Sequence, residues 1–322
     1  MSNEELRKLV YESLPAIDSV LDEQGVPIFD RAFHAAIMFV EYCVEDNSIG
    51  SKEELIKHKV FIEGFIPLFY EWYTDKYGDF IKKPQNKFYS GLIVIYGIPS
   101  LIQIPATISK IHIVNESSWL KFPDSLQKDE TLEQMMKDKK NINKLSKEHY
   151  QKVFLNFEEI VSLTRKINLN ILTATLDSNA RNMASSIWPH IEKCIQDICT
   201  FNDSSASVGC WELHLAVEKT LKVFLMQHHD KKMKGHDLLK LANKINEYNY
   251  CIDLDLVEAL PSSSCAIEFR YGEKIINFIH VYDYYIKTLI LIEHITSKYK
   301  RKYLIYNAAF LIKAAPWLKL NK

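Results

Sequence analysis

Trp211-Glu-Leu-His-Leu-Ala-Val-Glu-Lys-Thr-Leu-Lys-Val-Phe-Leu225, followed by Gly235-His236-Asp237-Leu238-Leu239-Lys240-Leu241, is the stretch whose reading decides the fold. Leu213, Val217, Leu221 and Leu225 recur every fourth residue, with Phe224 inside the stripe and Ala216 widening it. That spacing predicts an amphipathic helix. Glu218 and Lys222 stand four residues apart with the acid first, the favourable order on a helix surface. A Lys-rich connector, Asp230 to Gly235, turns the chain. Asp237 is then placed to cap a second helix through its carboxylate.

Outward from this stretch the pattern stays mainly helical. Glu4 to Leu21 carries an apolar stripe at Leu6, Val10, Leu14, Ile17 and Leu21, with Pro15 expected to kink it. Asp30 to Asp46 reads as a second helix, and Ser51-Lys-Glu-Glu54 has a capping-box pattern before a third. The aromatic run from Phe61 to Trp72 is bent at Pro67. Tyr89 to Ile98 and Leu101 to Val114 are rich in Ile, Val and Tyr and predict strands, as a hairpin turning at Pro99-Ser100. Pro105 makes the second an edge or broken strand. Gln127 to His149 reads as a solvated helix, and Val153 to Leu176 as a further helix. Residues 180 to 202 form another that kinks or starts at Pro189. Phe201 to Gly209 is a loop by composition, Pro261 to Ser264 a break, and Arg270 to His294 a last long helix. The basic tail from Ile295 to Lys322 reads as a C-terminal helix on Leu304, Ala308, Leu311 and Ala315, in preference to a nucleic-acid surface.

With 322 residues, 47% hydrophobic and 25% charged, the chain can bury one large core or two ordinary ones. Its 40 basic and 41 acidic residues nearly cancel, so the whole molecule does not attract nucleic acid by net charge. Met1 to Lys8 is polar, without the apolar core of a signal peptide, and no run of 18 apolar residues occurs. A cytoplasmic protein with reduced thiols and no membrane partner is therefore expected. Two parts are predicted. Residues 1–166 form a helical domain with a small β element near 89–122, and residues 167–322 a helical bundle with a basic tail.

The bundle resembles the HEPN family over about residues 180–297. The resemblance rests on three pieces in order: Ala216-Val217-Glu218-Lys219-Thr220-Leu221-Lys222, then His236-Asp237-Leu238, then Arg270-Tyr271 opening a last helix. It implies an up-down helical bundle that homodimerises and acts in bacterial defence or stress response. It also points to His236, Asp237, Arg270, Tyr271, Glu218 and Lys222 as nucleotide- or RNA-binding positions.

Many members of that family are metal-independent ribonucleases that use Arg, four to six residues, then His. The His exchanges protons near neutral pH and the Arg stabilises phosphate charge. No Arg of this chain has that spacing; after Arg270 the positions hold Ile275, Ile276 and Asn277. The nearest substitutes are Asn277, which cannot exchange a proton, and His280. The expectation is accordingly a non-catalytic nucleotide-, RNA- or protein-binding domain without cofactor. The alternatives are a ribonuclease with a displaced Arg270, Asn277 and His280 site, or a structural interaction protein. His190 with Cys194 and Cys210 with His214 are i,i+4 pairs of metal-ligand type, but their levels on a helical hairpin do not match and no metal is expected. His228, His229, Asp230 and His236 form a second such cluster, read as solvated or nucleotide-facing.

Overall fold

The computed structural model describes residues 3–82, 88–114, 116–138, 142–229 and 234–313. The chain is mostly helical with a small β component. It divides into two compact units, one of Met1–Asn86, Lys110–Trp119 and Leu311–Lys322, the other of Lys87–Ser109 and Leu120–Phe310. The boundary expected near residue 166 falls inside a continuous helix, Lys147–Thr173. Among the described residues no helix is long and apolar enough to cross a membrane.

In the first unit α1 (Asn3–Glu23) runs through Pro15, followed by α2 (Ile28–Cys43) and α3 (Lys52–Lys57). Ser51 and Glu54 form the expected capping box of α3. A single π turn, Phe61–Phe65, leads into α4 (Ile66–Tyr77), so Pro67 sits in the first turn of a new helix, where its missing N–H costs nothing. Val10, Leu14, Phe39, Phe61, Phe69 and Tyr73 build the core. Buried Asp18 of α1 accepts hydrogen bonds from Arg31 of α2 and from Lys76 and Tyr77 of α4.

The second unit opens with a hairpin, β1 (Phe88–Ile95) and β2 (Ile98–Pro105). The turn is at Tyr96-Gly97, not Pro99-Ser100, which pair with Val94 and Ile93. Both turn residues have positive φ, 50° and 75°. Such a turn matches the right-handed twist of the strands, a local fit that the Pro signal obscures. Pro105 ends the strand, as its lack of a donor requires. Next in the chain are β3 (Ile108–Ile113) and β4 (Ser117–Lys121), most of whose residues, Lys110–Trp119, belong to the first unit. Among the described residues the solvated helix expected over Gln127 to His149 is not formed. The chain instead makes a short α5 (Leu132–Met135), and Ser146 then caps α6 (Lys147–Thr173). Glu130 is drawn onto buried Arg165, and Leu132, Met135 and Met136 are pulled into the core.

After α6 come α7 (Ser178–Ala184), α8 (Ile187–Cys199) and α9 (Asp203–His229). Pro189 lies in the first turn of α8. The loop expected over residues 201–209 is largely helix: α9 begins at Asp203, with the Asn202 side chain accepting from Ser205 N. Tertiary bonds override loop composition there. Asp203 accepts from Phe278 N, and the Ser207 hydroxyl accepts from Ile276 N. The small residues let α9 approach α8, with a Cβ at Gly209 lying only 3.0 Å from the Cys194 sulfur.

Next come α10 (Leu238–Asn246), α11 (Leu254–Glu258), α12 (Ser263–Arg270), α13 (Phe278–Ser297) and β5 (Ala309–Lys313). The last long helix thus starts at Phe278 and not at Arg270: Arg270-Tyr271 closes α12 instead of opening a helix. Gly272 at φ +71° turns the chain, and Asn277 caps α13. The tail helix is also absent over its described part, where Leu311 lies in β5 of a sheet ordered β3-β4-β5. Ala315 and Trp317 lie outside the described residues. α9 is the central helix, packed by α8, α10, α12 and α13, and it buries Val223 and Thr220 besides the expected stripe.

Candidate binding face on α9

Trp211, Leu215, Glu218 and Lys222 fall within about 60° of one another around the axis of α9, given about 100° per residue. Along this stripe Trp211, Leu215 and Lys222 are partly exposed and Glu218 is buried. The Glu218 carboxylate is buried and accepts from Lys222 Nζ at 2.6 Å. Its other oxygen lies 2.9 Å from His236 Nδ1, whose ring is 62% exposed. The His236 carbonyl accepts from His214 Nε2 at 2.9 Å and from the Ser263 hydroxyl at 2.8 Å. His236 is therefore tied to α9 and α12 by its backbone, with its ring held at the surface by a buried charge.

Beside it the Arg270 guanidinium lies 4.9 Å over the Trp211 ring and 5.5 Å from the Tyr271 ring. The Trp211 ring is nearly parallel to that of His214, at 6.0 Å. Arg270 is exposed and Tyr271 is 67% exposed. Planar cations over aromatic rings hold each other with little loss of further contacts. The cavity between α9, α10 and α13, lined by Leu213, His214, Leu238 and Thr288, holds at most a water-sized molecule. Recognition by this region must therefore take place on its surface.

Of the residues singled out in the sequence, Glu218, Lys222 and His236 are joined directly, and Arg270 and Tyr271 adjoin each other over Trp211. Asp237 is engaged in the backbone, accepting from Lys240 N to start α10. Arg270, Asn277 and His280 do not share a helix. Arg270 ends α12, Asn277 accepts from Ile279 N as a cap, and exposed His280 sits in the first turn of α13. Of the His cluster, the described His228 and His236 have separate partners. The His228 ring stacks on Phe224 at 4.2 Å and meets the Tyr250 hydroxyl, while the His229 side chain and Asp230 lie outside the described residues.

The pairs of metal-ligand type are used otherwise. His190 lies between Glu212 and Lys219. Burial pushes the Cys210 thiol up to about 12 and that of Cys194 well above its usual value, so both act as small apolar side chains in the α8–α9 seam. No group of three or more potential metal ligands is gathered among the described residues. Sequence reasoning passed over Trp211, Glu212, Lys219 and Ser186 as functional residues. The seven-residue step from Glu212 to Lys219 does place them on one helix face, but their partners lie on another helix.

His214 gives a pH prediction. Burial lowers its pKa, against the opposing pull of the His236 carbonyl and the Glu218 charge. The folded state then binds fewer protons than the unfolded one just below the ordinary His range, near 6.5. Stability should fall as pH drops from about 6.5 through the lowered pKa, and the loss should be complete below it. Urea unfolding at a series of pH values checks this. His214→Gln should remove part of the slope, and an identical slope in that variant would contradict the assignment.

Compared with family models, with curated proteins and with solved structures, the chain matches none of them.

Proposed function

We propose that the chain is an HEPN-like binding protein that recognises the bases of a nucleotide or single-stranded RNA through the α9 face, a face that is itself non-catalytic. The observation that carries this reading is the stack of exposed Arg270 over Trp211, with exposed Tyr271 on the same guanidinium. Rings and guanidinium planes hold unstacked bases, and each such stack is worth about 1–3 kcal/mol. The near-zero net charge fits recognition through bases more than through phosphate neutralisation. Homodimerisation and a role in bacterial defence or stress response rest on the resemblance alone. Arg270 is engaged by aromatic rings at the end of α12 while His280 belongs to α13, an arrangement that lends the ribonuclease alternative no support.

Titration of a fluorescent mixed-sequence RNA tests the reading. Arg270→Ala and Trp211→Ala should each weaken binding about 5- to 150-fold, the equivalent of one lost stack. Lys240→Ala, on α10, should leave it unchanged. The dependence on salt should be shallow. Equal affinity in wild type and both ring-stack variants, or no binding by the folded protein, would overturn the proposal. RNA cleavage that survives EDTA would favour the ribonuclease.

A further inference from the structure

The opposite flank of the α9 face carries a cluster that base recognition does not use. Glu212 and Lys219 lie two turns apart on α9, and Ser186 and His190 one turn apart at the start of α8. The Lys219 Nζ is 2.9 Å from the Ser186 hydroxyl and 2.6 Å from His190 Nε2. The other ring nitrogen, Nδ1, is 2.6 Å from a Glu212 carboxylate oxygen. The Ser186 hydroxyl donates to the Met183 carbonyl at 2.7 Å. All four side chains are partly exposed, so a solute can reach them.

The protons follow from these distances. Lys219 as an ammonium donates to both Ser186 and His190, so Nε2 is unprotonated and Nδ1 carries the hydrogen given to Glu212. Moving one proton from Lys219 to Nε2 leaves the net charge of the cluster unchanged and sets an imidazolium against a carboxylate. Burial already lowers the Lys219 pKa, although Glu218 and Glu212 pull it back. The lone pair so freed points at His190, and rotation about the Cε–Nζ bond turns it to the Ser186 hydroxyl, whose hydrogen can swing from Met183 onto it. Ser186 immediately precedes α8, so the positive end of that helix lies beside any oxyanion formed there.

We propose that Ser186 is a nucleophile for acyl transfer from small carboxylic esters, with Lys219 as its base and His190 and Glu212 as the proton reservoir behind Lys219. The Ser186 oxygen attacks the ester carbonyl carbon while its proton passes to the Lys219 amine. The carbon–alkoxy bond breaks, and the leaving oxygen takes that proton. Water then attacks the acyl-serine, giving its proton to Lys219. Collapse of that adduct releases the carboxylic acid as Ser186 regains a proton from Lys219. The cluster lies on an accessible helix face, which suits short acyl groups. Glu212 and Lys219 offset each other's charge, which suits uncharged ones.

The test uses the full chain, a fluorophosphonate probe and p-nitrophenyl acetate. Peptide mass spectrometry should find the phosphonyl adduct on Ser186. Ester hydrolysis should fall about 100-fold or more in Ser186→Ala and in Lys219→Met. Ser185→Ala, at the exposed neighbour, should leave it unchanged. His190→Gln should move the rate profile to higher pH, since Lys219 then has no neighbour to take its proton. Arg270→Ala should have no effect, so loss of base recognition and loss of this chemistry can be told apart. Absence of a Ser186 adduct on the folded wild-type protein overturns the proposal whatever the variants do. Hydrolysis unchanged in a folded Ser186→Ala would also overturn it.

Discussion

Arg165→Ala is expected to destabilise the larger unit by about 3–5 kcal/mol, the usual consequence of removing one partner of a buried ion pair. The Arg165 side chain is fully buried in α6. Its Nη1 and Nη2 donate to the two Glu130 carboxylate oxygens at 2.7 and 2.6 Å, a bidentate pair. Nε and Nη2 reach the Pro105 carbonyl at the end of β2, and Nη1 also reaches the Ser125 carbonyl at 2.7 Å. One side chain thus ties together the hairpin, the 125–130 segment and the long helix. Alanine would leave a nearly buried carboxylate and two carbonyls without these donors. The desolvation of those groups persists, so the loss exceeds the net value of the interactions themselves. Urea unfolding followed by circular dichroism checks it. The double variant Arg165→Leu/Glu130→Leu should recover much of the loss, because no charge is then left unpaired. A change below about 1 kcal/mol in Arg165→Ala would show that solvent reaches Glu130 more readily than its burial implies.

Gly209→Leu is expected to cost about 1–3 kcal/mol through overpacking of the α8–α9 seam. A Cβ there meets the Cys194 sulfur at 3.0 Å, the Cys194 Cα at 3.4 Å and the Asp197 Cβ at 3.6 Å. The sulfur can yield by rotating, but the backbone carbon moves only if the helices part. Their separation is set by Ile191, Ile195, Leu213 and Val217 in the same core. Gly209→Ala divides the effect, since alanine gains about 1 kcal/mol of helix propensity while its methyl still crowds Cys194. Cys194→Ala/Gly209→Ala should therefore be more stable than the sum of the two single changes, by a coupling that a double-mutant cycle measures. Additive singles would place the two helices farther apart than the close approach at Gly209 requires.

Much of the local structure was legible from residue spacing. The stripes through Val10 and Leu14 and through Leu213 and Val217 face the cores of their respective units. The capping box at Ser51 and the cap at Asp237 stand where the polar residues precede apolar runs. These features depend on neighbours within a turn or two, so a short window of sequence contains their causes. The candidate face was legible only in part. Glu218 and Lys222 pair along one helix and can be found by their spacing. Trp211 joins Arg270 across 59 positions of chain, and no local pattern announces that stack.

The sequence by itself determined the helical character of the chain, the presence of a strand hairpin after residue 88 and the helix starts capped by Ser51 and Asp237, because backbone propensity, capping and periodic burial act locally. Only the tertiary structure decided that Ser-rich residues 203–209 are helical, since their polar groups bond to Ile276 and Phe278 far along the chain. It likewise ended α12 at Arg270 and started α13 only at Phe278, and joined Ser186 and His190 to Lys219 and Glu212. It also placed Arg165 at the centre of three segments. Each of these depends on groups brought together by packing, where the penalty for leaving a buried polar atom unpaired outweighs local preference.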